Sequence, residues 1–201
     1  QAKTILRRGK WVTGVGILDY VYTQGDNTVV GRLMDQSSLG IYQNAYKISA
    51  FPLTEIGEVF YKVTFPIFVQ FSDDPPRLRS AAVKSAVLLT GTLFVAGVSL
   101  FFLAQPLVQI VLGPNWSATV PIVKALAFLG FFRGCIYCFN PVFMAIKKQQ
   151  IVTYITAVST IGLLVTIVPF VSRWGLLGAA YSAMTGSIVA IPVALFFIIR
   201  L

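Results

Sequence analysis

Four carboxylates and four cations fall inside the apolar stretches of this chain, and their spacing is regular. Asp19, Tyr22, Thr23 and Asp26 stand at i, i+3, i+4 and i+7, one stripe of a helix that turns 100° per residue. Tyr20, Gln24 and Asn27 adjoin that stripe, while Ile17, Leu18, Val21, Gly25 and Val29 take the other side. Further on, Asn44, Lys47, Phe51, Glu55, Glu58 and Lys62 follow one another at helical spacing, backed by Ile48, Pro52, Ile56, Val59 and Val63. Glu58 and Lys62 form an i,i+4 pair in the favourable order. A third stripe joins Arg133, Tyr137 and Asn140. Cations of this kind bind anions, amides and phenols hydrogen-bond to polar ligands, and carboxylates exchange protons. The same charges can also serve only to hold a bundle together by pairing with one another.

The elements that carry these residues are membrane helices. Of 201 residues, 56% are hydrophobic and 11% charged, and the mean hydropathy is +0.78. A soluble domain of this length needs more surface charge, so the class is integral membrane. Six segments suit a crossing of ~20 mostly apolar residues: about 11–31, 40–70, 84–104, 119–145, 151–171 and 174–199. Residues 1–10 form a basic lead-in without the apolar core of a signal peptide. With the N-terminus inside, Lys3, Arg7, Arg8, Lys10, Arg77, Arg79, Lys84, Lys147, Lys148 and Arg200 fall on the inner side. Only Arg32 and Arg173 fall outside, as the excess of basic residues in cytoplasmic loops requires. Both ends are therefore expected in the cytoplasm. The net charge of +9 is spread between apolar spans, which argues against nucleic acid. The chain opens at Gln1 and stops within an apolar segment, so a missing partner half is expected.

Lys47, Lys62, Lys124, Arg133, Asp19, Asp26, Glu55 and Glu58 lie within the spans. Embedded charge costs several kcal/mol or more, so such residues face water or a bundle interior and are functional candidates. Lys124, just after Pro121, is placed to snorkel to the interface, whereas Arg133 is near mid-depth and cannot. The last two spans are uncharged, with Gly178, Ser182 and Gly186 forming a ridge for close helix approach. Cys135 and Cys138 form a lone C-x-x-C inside a span of a chain without histidine, which reads as packing. Gly14-Val15-Gly16 lacks the strand and the pattern of a nucleotide site. No metal and no cofactor are expected.

Four stretches in order, "GDNTVVGRLMDQSSLGIYQNAYKISAFPL", "VTFPIFVQFSDDPPRLR", "VLGPNWSATVPIVKALAFLGFFR" and "WGLLGAAYS", resemble the second half of bacterial polysaccharide flippases. These are the O-antigen, colanic-acid and exopolysaccharide exporters of the multidrug/oligosaccharidyl-lipid/polysaccharide superfamily. The resemblance covers residues 10 to 190. It implies an all-α, six-transmembrane-helix bundle, one lobe of a V-shaped transporter of twelve or more helices in the bacterial inner membrane. The missing N-terminal bundle would belong to the same polypeptide. Implied too is the movement of a polyprenyl-pyrophosphate-linked oligosaccharide across the membrane by alternating access, driven by an ion gradient or the membrane potential. Asp26 matches the family's Asp before "GR-L", and Arg133 its Arg after "L-FLG-F". Lys47 departs from the uncharged polar residue of many relatives.

For such a substrate, Arg133 can fork onto a phosphate while Lys47 acts as a point charge, and Asn44, Tyr137, Asn140 and Gln24 can serve the sugar. Asp26, Asp19, Glu55 and Glu58 are the ion-coupling candidates, alternating between pairing with a cation and protonation. With no nucleophile-base pair or phosphate-binding loop, an enzyme is not expected. The alternative within the superfamily is an extruder of drugs or organic cations, which favours acidic over basic cavity residues.

Overall fold

A computed structural model describes residues 2–199, without the side chains of residues 2–15, of Asp19 and of Ile199. Gln1, Arg200 and the side chains of the basic lead-in and of Asp19 thus fall outside the described residues, whereas the lead-in backbone from Ala2 is the first part of helix α1. Among those residues the chain is all-helical and has no strand. The helices are α1 (Ala2–Leu33), α2 (Gln36–Ile48), α3 (Ala50–Gln70), α4 (Pro75–Val111), α5 (Val120–Tyr137), α6 (Asn140–Ala145) and α7 (Gln149–Ile199). A 3₁₀ segment, Pro114–Thr119, precedes α5.

The interruptions follow from the backbone chemistry of proline and glycine. A proline ring collides with the carbonyl four residues earlier and offers it no N–H. Pro52 accordingly ends α2 at Ile48, with Ser49 between the helices donating its hydroxyl to the Ala45 carbonyl at 2.7 Å. Pro141 in the same way ends α5 at Tyr137, so the fourth expected span divides into α5 and α6. Pro66, by contrast, sits inside α3, which runs on to Gln70. The start of α2 is capped by Asp35, which accepts from the Ser38 backbone N–H at 3.2 Å. Hydrogen bonding from Ser38 holds the Asp35 carboxyl below the usual carboxylate range. The sign follows: this cap is intact at neutral pH and is lost as acid protonates Asp35.

Within α7, Gly175 adopts φ 57 and ψ −133, a backbone open to glycine and strained for other residues. The helix turns back there on itself. A Cβ on Gly178 would lie 2.0 Å from the Phe170 carbonyl oxygen, and one on Gly186 2.4 Å from that of Ser159. The small-residue ridge read from the sequence is therefore the seam between the two legs of α7, with Ser182 fully buried in it.

Helix α5 is the hub, packed on α3, α4 and α7. Gly130 faces Leu53 of α3 and Gly134 faces Leu93 of α4, each too closely for a side chain, so α5 draws both neighbours onto the turn that carries Arg133. Three helical stretches are long and apolar enough to cross a membrane: Pro75–Val111, Pro114–Ala145 and Gln149–Ile198. Their outer faces are greasy, as at Val87, Phe102 and Ile110 of α4 and Val165 of α7.

Replacing Gly186 by Ala forces backbone apart and is expected to cost about 1–3 kcal/mol, the usual range for overpacking. Gly91→Ala, mid-helix in α4 with open space around it, is expected to be neutral or to gain up to about 1 kcal/mol. Thermal unfolding of the detergent-solubilised protein separates the two; equal melting of both variants would contradict the seam.

Candidate functional site

The polar residues of the helices assemble into two constellations, one sealed and one open. The sealed one lies where α1, α2 and α5 meet. Arg133 is 2% exposed and Asp26 0%. The Arg133 Nη1 donates to the Tyr46 hydroxyl, and Nη2 donates to the Tyr22 carbonyl at 3.0 Å. Its guanidinium also lies over the Tyr22 ring, 4.5 Å from the centroid, and 5.7 Å from that of Tyr46. Asp26 accepts from the Tyr42 hydroxyl at 2.9 Å and from the Asn27 backbone N–H at 2.8 Å. The Tyr22 hydroxyl is hydrogen-bonded to that of Ser187 at 3.0 Å, which ties the cluster to α7.

Asp26 and Arg133 share this enclosure without a direct ion pair, each held by a tyrosine of the same helical turn of α2. The Arg133 Nε is buried without a hydrogen-bond partner, as is Asn140 Oδ1 further along the same stripe. Buried polar atoms of this kind cost ~1–3 kcal/mol each, which makes them points of demand for a ligand or water.

The open constellation runs along α2 and α3. Their buried stripe is Tyr42, Ala45, Ser49, Leu53, Gly57, Thr64 and Phe68. At 100° per residue, Lys47, Phe51, Glu55, Glu58 and Lys62 lie on the opposite side, and all five are exposed. Glu58 and Lys62 form the expected pair at 3.8 Å, both well exposed, so its contribution is small. Gln24 and Thr28 of α1 are exposed as well, with Gln24 accepting from Asn27 Nδ2 at 3.1 Å.

Several expectations change against this geometry. The α1 stripe does not face water as a unit: Tyr22 and Asp26 turn inward to α2 and α5, while Gln24 beside them is exposed. Arg133 does not stand with Lys47, since one is sealed and the other open, and both of its terminal nitrogens are engaged. Asn44, Tyr137 and Asn140 are half-buried, with Tyr137 packed against Gly57. Val59 and Val63, placed at the back of α3, are exposed. Lys124 is half-buried, its amine 5.0 Å from the centroid of the Phe101 ring. Cys135 and Cys138 are free thiols; Cys138 is buried and bonds to the Gly134 carbonyl at 3.8 Å.

Tyr42 and Tyr46 were not among the candidates, although their i,i+4 spacing within "YQNAYK" places both on one face of α2. That spacing was the available signal.

A family model described as polysaccharide biosynthesis protein matches residues 1–121, which include Asp26, both tyrosines of α2 and the carboxylates of α3. The chain belongs to this polysaccharide biosynthesis family. Among its relatives, lipopolysaccharide biosynthesis protein WzxC of Escherichia coli K12 is 27% identical over 129 residues, 64% of this chain and 26% of that protein. Teichuronic acid biosynthesis protein TuaB of Bacillus subtilis 168 is 30% identical over 108 residues, covering 54% and 22%. Succinoglycan biosynthesis transport protein ExoT of Rhizobium meliloti is 25% identical over 180 residues, covering 88% and 33%. The matched stretch thus spans a third or less of the length of each of these relatives. No solved structure matches the chain.

For a buried charge whose partner is removed, the usual loss is about 3–5 kcal/mol. Arg133→Ala and Asp26→Ala are each expected to destabilise the protein on that scale. Because the two groups share one enclosure, the double variant should lose less than the sum. A thermal-unfolding double-mutant cycle checks this, and strict additivity would show that the charges do not sense each other.

Proposed function

We propose that this chain is one helical lobe of an inner-membrane transporter that carries polyprenyl-pyrophosphate-linked oligosaccharide to the outer leaflet by alternating access. In this reading the chain crosses the bilayer six times, with α1, the α2–α3 unit, α4, the α5–α6 unit and the two legs of α7, and both ends lie in the cytoplasm. The observation that carries it is the exposed stripe Lys47, Glu55, Glu58 and Lys62, diametrically opposite the buried stripe of the same helices. Side chains of this charge cannot face hydrocarbon cheaply, at ~2.5–3.5 kcal/mol each at mid-depth, so they border water or a facing lobe. Family membership, and relatives whose names concern lipopolysaccharide, teichuronic acid and succinoglycan, support a glycan cargo over an organic cation.

The cargo's pyrophosphate needs cations along its path. Lys47 is exposed on the stripe and can meet it at once, with Asn44 three residues before it on α2 and Gln24 exposed on α1 to serve the sugar. Arg133 acts in a second way. Its Nε has no partner, Nη1 is held by Tyr46 of α2 and Nη2 by the Tyr22 carbonyl of α1, so a rotation of α2 against α5 would release Nη1 for phosphate while Nη2 stays anchored to α1. Asp26, hydrogen-bonded to Tyr42 on the same helix, would sense that rotation and is the leading coupling group, with Glu55 and Glu58 in reserve. Tyr137 and Asn140 continue the Arg133 stripe toward the other end of the cavity. No covalent bond is made or broken, so the activity is transport and not enzymatic.

The test is expression of the full gene in a strain lacking its own exporter, followed by measurement of undecaprenyl-linked glycan in the outer leaflet. Restored export is expected. Lys47→Ala and Arg133→Lys should reduce it, and Asp26→Asn should remove its dependence on the gradient while leaving membrane insertion intact. Normal gradient-dependent export by Asp26→Asn, Glu55→Gln and Glu58→Gln alike would end the coupling assignment.

A further inference from the structure

At the end of the bundle where α3 meets α4 and α6 meets α7 lies a cavity of about 210 Å³, separate from both constellations. Its floor is apolar, formed by Leu78, Ala82, Val142 and Ile198, and Arg79 and Lys148 stand in its lining. Both cations are exposed, and among the described residues neither makes an ion pair. The nearest helix-capping carboxylate, Asp74, is already engaged by Arg77 at 3.2 Å. Asp73, in the same turn, does not line the cavity. Arg79 and Lys148 thus line one cavity with two positive charges and no carboxylate among its lining residues, a lining that favours an anion.

The backbone at the cavity's edge points the same way. Lys147 adopts φ 60, the one positive φ at a non-glycine residue among those described. This is the position after a helix where glycine is favoured, and the N–H of Lys148 closes the turn onto the Phe143 carbonyl at 2.9 Å. Lys147 itself does not line the cavity, and the turn it forms sets Lys148 in the cavity wall.

We propose that this cavity binds the phosphate of an anionic phospholipid, with Arg79 and Lys148 on the headgroup and the apolar floor under its glycerol and upper acyl chains. At about 210 Å³ the cavity lies below the ~300–1,000 Å³ that encloses a drug-sized molecule, so it holds a phosphate and its glycerol ester while the acyl chains run out over the neighbouring apolar surface. Basic cavities between helices at a membrane surface recognise acidic headgroups in this way. That the leaflet is the cytoplasmic one rests on the topology proposed above; the site itself does not.

The experiment is native mass spectrometry of the full-length gene product, delipidated in dodecyl maltoside, with added phosphatidylglycerol or phosphatidylcholine of matched acyl chains. Phosphatidylglycerol is expected to bind about 30-fold more tightly, the factor two basic residues supply. Arg79→Gln with Lys148→Gln should erase that preference, and Ala82→Phe, which fills the floor at unchanged charge, should weaken the lipid too. Equal binding of the two lipids by the unaltered protein, or an undiminished preference in the double variant, overturns the proposal. So does displacement of the lipid by an equal concentration of inorganic phosphate or of polyprenyl pyrophosphate, which would assign the site to free anion or cargo. Normal glycan export without any lipid preference removes this site alone, whereas failed export with the preference intact leaves it standing.

Discussion

Charge in hydrocarbon is the constraint on which the arrangement depends. Every embedded ionisable group must meet water, a counter-charge or a set of dipoles, because the alternative costs several kcal/mol per group against a total stability of only ~5–15 kcal/mol. The chain meets the requirement in two ways at once. Arg133 and Asp26 are withdrawn into a shell of tyrosines, where rings, hydroxyls and one backbone carbonyl replace water. Lys47, Glu55, Glu58 and Lys62 are put on a surface that the account assigns to an aqueous cleft.

The two solutions share one helix unit, which gives the arrangement mechanical meaning. Tyr42 and Tyr46 hold the sealed charges from one side of α2, while Lys47 sits on the open side one residue later. Any rotation of α2 therefore changes both constellations together. The break at Ser49, created by Pro52, separates α2 from α3 and gives such a rotation a place to start. By contrast α7, folded at Gly175 and seamed by glycine and serine, offers a rigid back wall.

Much of this was legible in the residues. The charged stripe of α2 and α3, the Glu58 and Lys62 pair, the seam of Gly178, Ser182 and Gly186, and the role of Pro52 follow from helical periodicity and proline geometry alone. Periodicity also explains what was missed. A helical wheel says which residues share a face, not what the face touches, so it could not divide Asp26 from Gln24 or foresee that Tyr46 occupies the Arg133 fork. Val59 and Val63 back the charged stripe by periodicity, and periodicity alone does not say whether such an apolar back is buried or exposed; both are exposed. Proline geometry accounts for the breaks before Pro52 and Pro141 alike, whereas hydropathy shows 40–70 and 119–145 each as one segment.

The most direct measurement is accessibility to a membrane-impermeant thiol reagent, scanned along α3 in the full-length protein with Cys135 and Cys138 replaced. Glu55→Cys, Glu58→Cys and Lys62→Cys should be labelled in intact membranes from one side or the other, whereas Val59→Cys and Val63→Cys, on the flank proposed to face lipid, should not. Protection of the first three positions, or equal labelling of all five, would contradict a water-lined cleft and leave the charges as mere pairing partners within the bundle.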